Sequence, residues 1–200
     1  MSRIPPLEPA DQPFVVRRAL RSARKKVGLE PAPFTALARH RRLFLAEGGF
    51  ELALEGCHAA PERLKELAVL RTAMVVGCEF CCDIGSALAQ TKAGITEDEL
   101  RDLARWRESP RFDAHDRLAL ELAEAMARTP EETTDELVGR LREALGDEAT
   151  IELIVFCGWE SFRARTNAAM GFGAQGFSEG AYCVAPDRDA LSAAPAGRAA

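Results

Sequence analysis

Helical spacing of apolar residues runs through almost the whole chain, and no stretch shows the apolar–polar alternation of a half-buried strand. That property alone restricts the chain to an all-α fold. Glycine and proline supply the punctuation. A proline-rich arm covers 1–13, a short basic helix is predicted at 14–27 and closed by Gly28, and helices follow at 33–47, stopping at Gly48-Gly49, and at 50–57. Pro61 suits the first turn of a helix running to Val76, whose last residues, Ala73-Met74-Val75-Val76, are apolar on all sides and therefore buried. The next helix starts near Cys78 and ends at the αL terminator Gly94. Thr96 to Glu99 reads as a capping box for a helix at 97–106. Further helices are predicted at 113–128, 135–145 and from Asp147 to about Met170.

This pattern gives a single all-helical domain over 14–182. Its first half, about 37–110, carries the cysteine motif, and its second spans about 113–176. Residues 183–200, rich in Ala, Pro, Arg and Gly, have little to bury and are expected to be disordered. One internal similarity crosses the halves: ELAVLRTAMVVGCEFCCDIG (66–85) aligns without gaps to ELIVFCGWESFRARTNAAMG (152–171). It suggests duplication of a helical hairpin in which only the first copy kept thiols.

A net charge of −5, with no basic face interleaved with aromatics, argues against a nucleic-acid partner. No apolar run approaches a membrane span, so no membrane partner is expected, and the N-terminus lacks the apolar core of a secretory signal. A cytoplasmic, reducing location is the expectation for the six cysteines.

The most informative motif is Cys78-Glu79-Phe80-Cys81, placed just after Gly77 at a helix start. Cysteines at i and i+3 face the same way and can bond. A first-turn cysteine gains thiolate character from unpaired backbone N–H groups. Half a zinc site and two small buried hydrophobes are the competing readings. Glu66 precedes Cys78 by twelve residues, about 18 Å along one straight helix, so the two approach only if the chain reverses near Gly77 into an antiparallel hairpin. Sharing a face with Val69, Leu70 and Ala73, Glu66 points inward, as a proton acceptor for the thiols or as a salt-bridged core glutamate. Cys82 is a third clustered thiol, and structural zinc would need Cys57 or His58 as a further ligand. Cys157 reads as a core residue and Cys183 as a tail residue. The letters of Gly171 to Gly176 match G-x-G-x-x-G, but after a helix rather than a strand they read as a loop. Trp159, Arg163 and Asn167 share a helical face, read as packing or a subunit contact ahead of substrate binding.

The E-x11-C-x-x-C spacing of Glu66, Cys78 and Cys81, with RARTNAAMGFGAQGFSEG at 163–180, resembles the alkylhydroperoxidase AhpD and carboxymuconolactone decarboxylase family over about 37–180. The resemblance implies an all-helical, cytoplasmic homo-oligomer, trimeric or hexameric, with no cofactor and no metal. In the AhpD branch it implies a small peroxide or disulfide substrate, attack by Cys81, resolution by Cys78, proton transfer assisted by Glu66, and recycling by a dithiol or protein reductant. AhpD-type members carry histidines where this chain has Phe80 and Gly85, so the relay lacks its middle member. His40, His58 and His115 are distant in sequence, with His58 alone placed in a loop able to fold over the site. The alternatives are a decarboxylase or lactone-processing enzyme acting on a small carboxylic acid through a cationic pocket, and a non-catalytic oligomeric scaffold.

Overall fold

The computed structural model describes residues 2–187, and within them every regular element is helical. The α-helices are α1 (Phe14–Val27), α2 (Ala32–Leu37), α3 (Arg41–Glu55), α4 (Glu62–Val76), α5 (Glu79–Ala93), α6 (Glu97–Asp102), α7 (Ala114–Ala127), α8 (Asp135–Leu145) and α9 (Asp147–Met170). Short 3-10 turns occupy Pro9–Asp11 and Leu103–Arg105. Among these residues no helix is long and apolar enough to cross a membrane.

The helix at the centre is α4, packed against α5, α7 and α9. It is buried on nearly every face, and Leu67 and Leu70 are completely buried. Truncating either to alanine should cost about 2–5 kcal/mol, since a packed interior cannot collapse around the lost volume. Two of the charges that α4 carries inward are paired. Lys65 lies 3.2 Å from Glu152, and Arg71 is bound by Glu124 and Asp187. One apolar cluster joins α4, α5 and the segment after α9, and a second joins α4, α7, α8 and α9. A smaller third cluster sets Val16 and Leu20 of α1 against Ala38 and Phe44.

The structure places the reversal between α4 and α5 at Gly77, whose φ of 85° and ψ of 31° lie in the left-handed region that favours glycine. Elsewhere some boundaries differ from the sequence reading. The expected break at Gly48-Gly49 is absent, because α3 runs straight through it from an N-cap at His40. Gly48 is there for space: a Cβ would stand 3.3 Å from the Phe34 ring. Asp113, which the sequence reading passed over, forms a capping box with Asp116. The aligned segments also differ in form, since 66–85 breaks at Gly77 whereas 152–171 stays in one uninterrupted helix. A duplicated hairpin is therefore not what relates them.

Residues 183–187 of the expected disordered tail are packed. Val184 is buried and donates its N–H to the Ser86 hydroxyl at 3.0 Å, and the Asp187 N–H donates to the Met74 carbonyl at 2.9 Å. They stay ordered because they satisfy polar groups of the α4–α5 hairpin. The remainder of that tail, 188–200, lies outside the described residues.

Candidate active site

Cys78 is the N-cap of α5, and its sulfur accepts the Cys81 backbone N–H at 3.2 Å. The two side chains are joined as a disulfide, with Cα atoms 5.3 Å apart, well within the range such a bond requires. Both cysteines are buried. The first turn of α5 directs its unpaired N–H groups at this end, which favours negative charge on the sulfurs.

Asn167 of α9 reaches the same point. Its amide Nδ2 donates to Cys81 Sγ at 3.5 Å, and the residue is 7% exposed. The sequence reading assigned Asn167 to packing. Its spacing from Arg163 and Trp159 put it on an inward face, but nothing in the sequence said that Cys81 lies opposite.

Glu66 is largely buried in the structure. Its nearest cation is Lys92, 4.0 Å away near the end of α5. Burial pushes its carboxyl above the usual range, and Lys92 only partly offsets this. The hairpin register follows from Leu70 lying against Gly85 and Glu66 against Lys92, so Glu66 sits toward the C-terminal half of α5 and Cys81 at its beginning.

Around Glu66 the structure assembles a cluster of carboxylates that the sequence did not reveal. Glu160 of α9 is buried, with one oxygen held by Arg163 at 2.9 and 2.5 Å while the other, Oε1, has no hydrogen-bond partner. Burial raises the Glu160 pKa against the pull of Arg163. Glu51 of α3 accepts from Arg163 at 2.9 Å and from the Trp159 indole at 2.8 Å. Beside it, Glu47 is pushed up to about 7 by burial and by the Glu51 charge, with Arg163 opposing.

The two positions where the AhpD resemblance leads one to expect histidine are filled otherwise. Phe80 is buried and meets Phe177 edge to face at 5.7 Å. At Gly85 a Cβ would come within 2.9 Å of Leu70 Cδ1, so a larger side chain requires the buried Leu70 side chain to shift. Both positions serve packing.

Over this end of α5 lies the segment that follows α9, pinned by Asp83. Asp83 Oδ2 accepts the backbone N–H groups of Gln175, Gly176 and Phe177 at 2.7, 2.7 and 3.1 Å, while Oδ1 accepts the Ser178 N–H and hydroxyl. Burial works against the Asp83 charge, but these donors outweigh it and hold the pKa below the usual range. The glycine-rich letters of 171–176 thus form a loop whose N–H groups bind a protein carboxylate.

The remaining thiols differ sharply. Cys82 is buried, and burial pushes its thiol far up, so it stays protonated. Cys157 is a core residue pushed up to about 12 by burial. Cys57 and His58 lie before α4, at the end opposite Cys78, so the length of α4, about 20 Å, separates them from the thiol pair. Among the described residues no three potential ligands gather to hold a metal ion.

This helical architecture is that of AhpD-like proteins. It superposes on the AhpD core of an uncharacterized peroxidase-related protein from Ralstonia eutropha JMP134 with a TM-score of 0.77 and 19% identity, over 87% of this chain and 92% of that one. It superposes on the debrominase Bmp8 with a TM-score of 0.75 and 22% identity, over 94% and 95% of the two chains. Residues 49–125 match the carboxymuconolactone decarboxylase family. The chain is also 40% identical over 113 residues to the uncharacterized protein YnjA of Escherichia coli (strain K12), and 32% identical over 108 residues to the uncharacterized protein YdfG of Bacillus subtilis (strain 168). These alignments cover 56% and 54% of this chain, and they span 62% of the length of YnjA and 73% of that of YdfG. The chain belongs to the carboxymuconolactone decarboxylase family.

Proposed function

We infer that the protein is a thiol-dependent oxidoreductase that reduces a small peroxide or disulfide and cycles through the Cys78–Cys81 disulfide. The observation that carries this reading is the bonded cysteine pair at the start of α5, with a separate donor on each sulfur: the Cys81 N–H on Cys78 and the Asn167 amide on Cys81. The Cys81 thiolate attacks the terminal peroxide oxygen, forming an S–O bond as the O–O bond breaks, and the alcohol leaves after taking up one proton. Cys78 then displaces the hydroxyl of the resulting sulfenic acid. The S–S bond forms and water departs. Two electrons and two protons from an external dithiol restore the thiols. Glu66 holds a proton more readily than a surface glutamate, and because the hairpin register sets it toward the other half of α5 from Cys81, it assists the leaving alkoxide through intervening water rather than by direct contact.

The AhpD-like fold supports a peroxidase-related role. The likeness to Bmp8 suggests that the same two-electron thiol chemistry also suits an electrophilic halogenated substrate. The alternative, a decarboxylase or lactone-processing enzyme, calls for a free cation to hold a carboxylic acid. Arg163 is already engaged by Glu51 and Glu160, so the observations favour the thiol reading. The third reading, a scaffold with vestigial thiols, requires Cys81 to alkylate no faster than ordinary cysteine.

The test is peroxide consumption with a dithiol reductant. Cys81→Ser is expected to abolish turnover, and Cys78→Ser to stop it after a single sulfenic acid has formed. Equal rates in wild type and both variants would sink the reading.

A further inference from the structure

An excess of positive over negative charge is found at the N-terminal end of this acidic chain. Residues 1–42 hold ten Lys or Arg against three Asp or Glu, whereas the remaining 158 hold sixteen against twenty-eight. Six of the ten lie on α1, which has no acidic residue. Its inward stripe, Val16 and Leu20, is packed against Ala38 and Phe44. At the helical repeat, Phe14, Arg18, Arg21 and Lys25 fall on the opposite stripe, and their side chains line a shallow hollow on the surface. Arg17 and Arg24 flank it. Lys26, on the other flank, is tied to Glu55 at 2.6 Å, but among the described residues no ion pair forms at Arg17, Arg18, Arg21, Arg24 or Lys25.

A solvated helix has no need of this arrangement, because mixed i, i+4 pairs would be more stable than like charges set one turn apart. Phe14 is also unusual. It is 67% exposed, at the outer end of the same stripe, although a cluster of apolar side chains lies on the other side of the helix. An aromatic ring beside a row of cations suits the boundary between headgroups and acyl chains, where such rings settle and where each nearby Lys or Arg gains from anionic lipid. The hollow is shallow and lined by one helix alone, so it offers no groove between elements to an extended peptide. It has no second aromatic on which nucleic-acid bases could stack.

We propose that the outer face of α1 is a peripheral docking surface for an anionic lipid membrane, with Arg18, Arg21 and Lys25 facing the headgroups and Phe14 entering the interface. Crossing a membrane and resting on one are separate matters, and α1 does only the second, because its apolar stripe is already used by the fold. The hydrogen bonds from Arg39 to the Pro5 and Pro6 carbonyls and from Arg3 to those of Ala168 and Ala169 tie the N-terminal arm to the body. Docking therefore brings the whole domain to the surface.

The experiment is co-sedimentation of the full chain with vesicles of phosphatidylcholine alone and of phosphatidylcholine with about 30 mol% phosphatidylglycerol at low ionic strength. Binding at least about tenfold stronger on the anionic vesicles is expected, and it should be lost as salt rises from about 0.05 M to about 0.5 M. The variant Arg18→Gln/Arg21→Gln/Lys25→Gln should bind both vesicles alike, and Phe14→Ala should weaken anionic binding a few-fold. All four side chains are exposed, so wild-type melting and peroxide turnover in these variants show that the fold and the thiol site are intact. Equal binding of wild type to both vesicles, or undiminished binding by the triple variant, overturns the proposal. So does tighter binding to a short DNA duplex than to the vesicles at the same salt. None of these outcomes depends on whether the thiols reduce peroxide.

Discussion

The segments 66–85 and 152–171 begin with the same dipeptide, end on the same glycine, and do opposite things. In the first, Gly77 turns the chain and leaves a fresh helix start at Cys78. In the second, the matching position is Arg163, the helix continues, and no new N-terminus is created. The difference is chemical as well as geometric. An interrupted helix exposes N–H groups that can support an anionic sulfur, whereas an uninterrupted one can offer only side chains. The matching positions Cys81 and Asn167 meet in space, so the second segment forms the wall of the site that the first creates.

The two leading glutamates diverge in the same way. Glu152 is structurally engaged: one oxygen accepts the N–H groups of Ala59 and Ala60 at 2.7 and 3.3 Å, and the other lies 3.2 Å from the Lys65 ammonium. Among the described residues Glu66 has only Lys92 as an ion-pair partner, at 4.0 Å. The sharpest way to break the comparison is to alter both. Glu152→Ala strands two N–H groups and removes a buried partner of Lys65, a loss of about 3 kcal/mol, which for a chain of this size lowers Tm by roughly 5–10 °C. Glu66→Gln should leave Tm unchanged or higher at neutral pH, because burial already disfavours the ionised form, and should slow peroxide turnover instead. Thermal melts and steady-state rates of both variants decide it. A large Tm loss from Glu66→Gln with unaltered turnover would make the two glutamates equivalent.

A smaller effect separates the roles of Asn167 and Phe80 around the thiols. A hydrogen bond to a charged acceptor contributes about 1.5–3 kcal/mol. Asn167→Ala should therefore slow alkylation of reduced Cys81 at neutral pH by roughly tenfold, with Cys78 unaffected in the same peptide map. An unchanged Cys81 rate would return Asn167 to packing.

How much of this could be read in the sequence depends on range. The all-helical class, the start of α5 at Cys78 and the reversal at Gly77 are local matters of spacing, capping and one glycine. Each was legible, and Cys78 proved to be the cap itself. The errors at Gly48-Gly49 and in the tail came from giving local signals more weight than tertiary ones. There the Phe34 ring packs closely over Gly48, and Ser86 and Met74 bind residues 184 and 187. Asn167 and the carboxylate cluster were not legible, because they depend on how α3, α4 and α9 pack across more than a hundred residues. The same holds for why Gly85 is not histidine, since Leu70 fills the space from the neighbouring helix.

The smallest expected effect concerns that cluster and carries a definite sign. Burial and the neighbouring Glu51 raise the Glu47 pKa from 4.5 to about 7. The folded state therefore holds a proton that the unfolded chain releases at lower pH, so stability is highest below the unfolded pKa and falls as pH rises toward the folded one. Between about pH 4.5 and 7 this carboxyl contributes a downward slope of Tm with pH, which levels off above that range. Glu47→Gln removes the titrating group and keeps the shape, and should flatten this part of the profile, with little change at the acid end where the wild-type carboxyl is neutral. Melts at several pH values test it. An identical slope in the variant would mean that the carboxyls on α4 and α9, Glu66 and Glu160, carry the cluster's proton without help from α3.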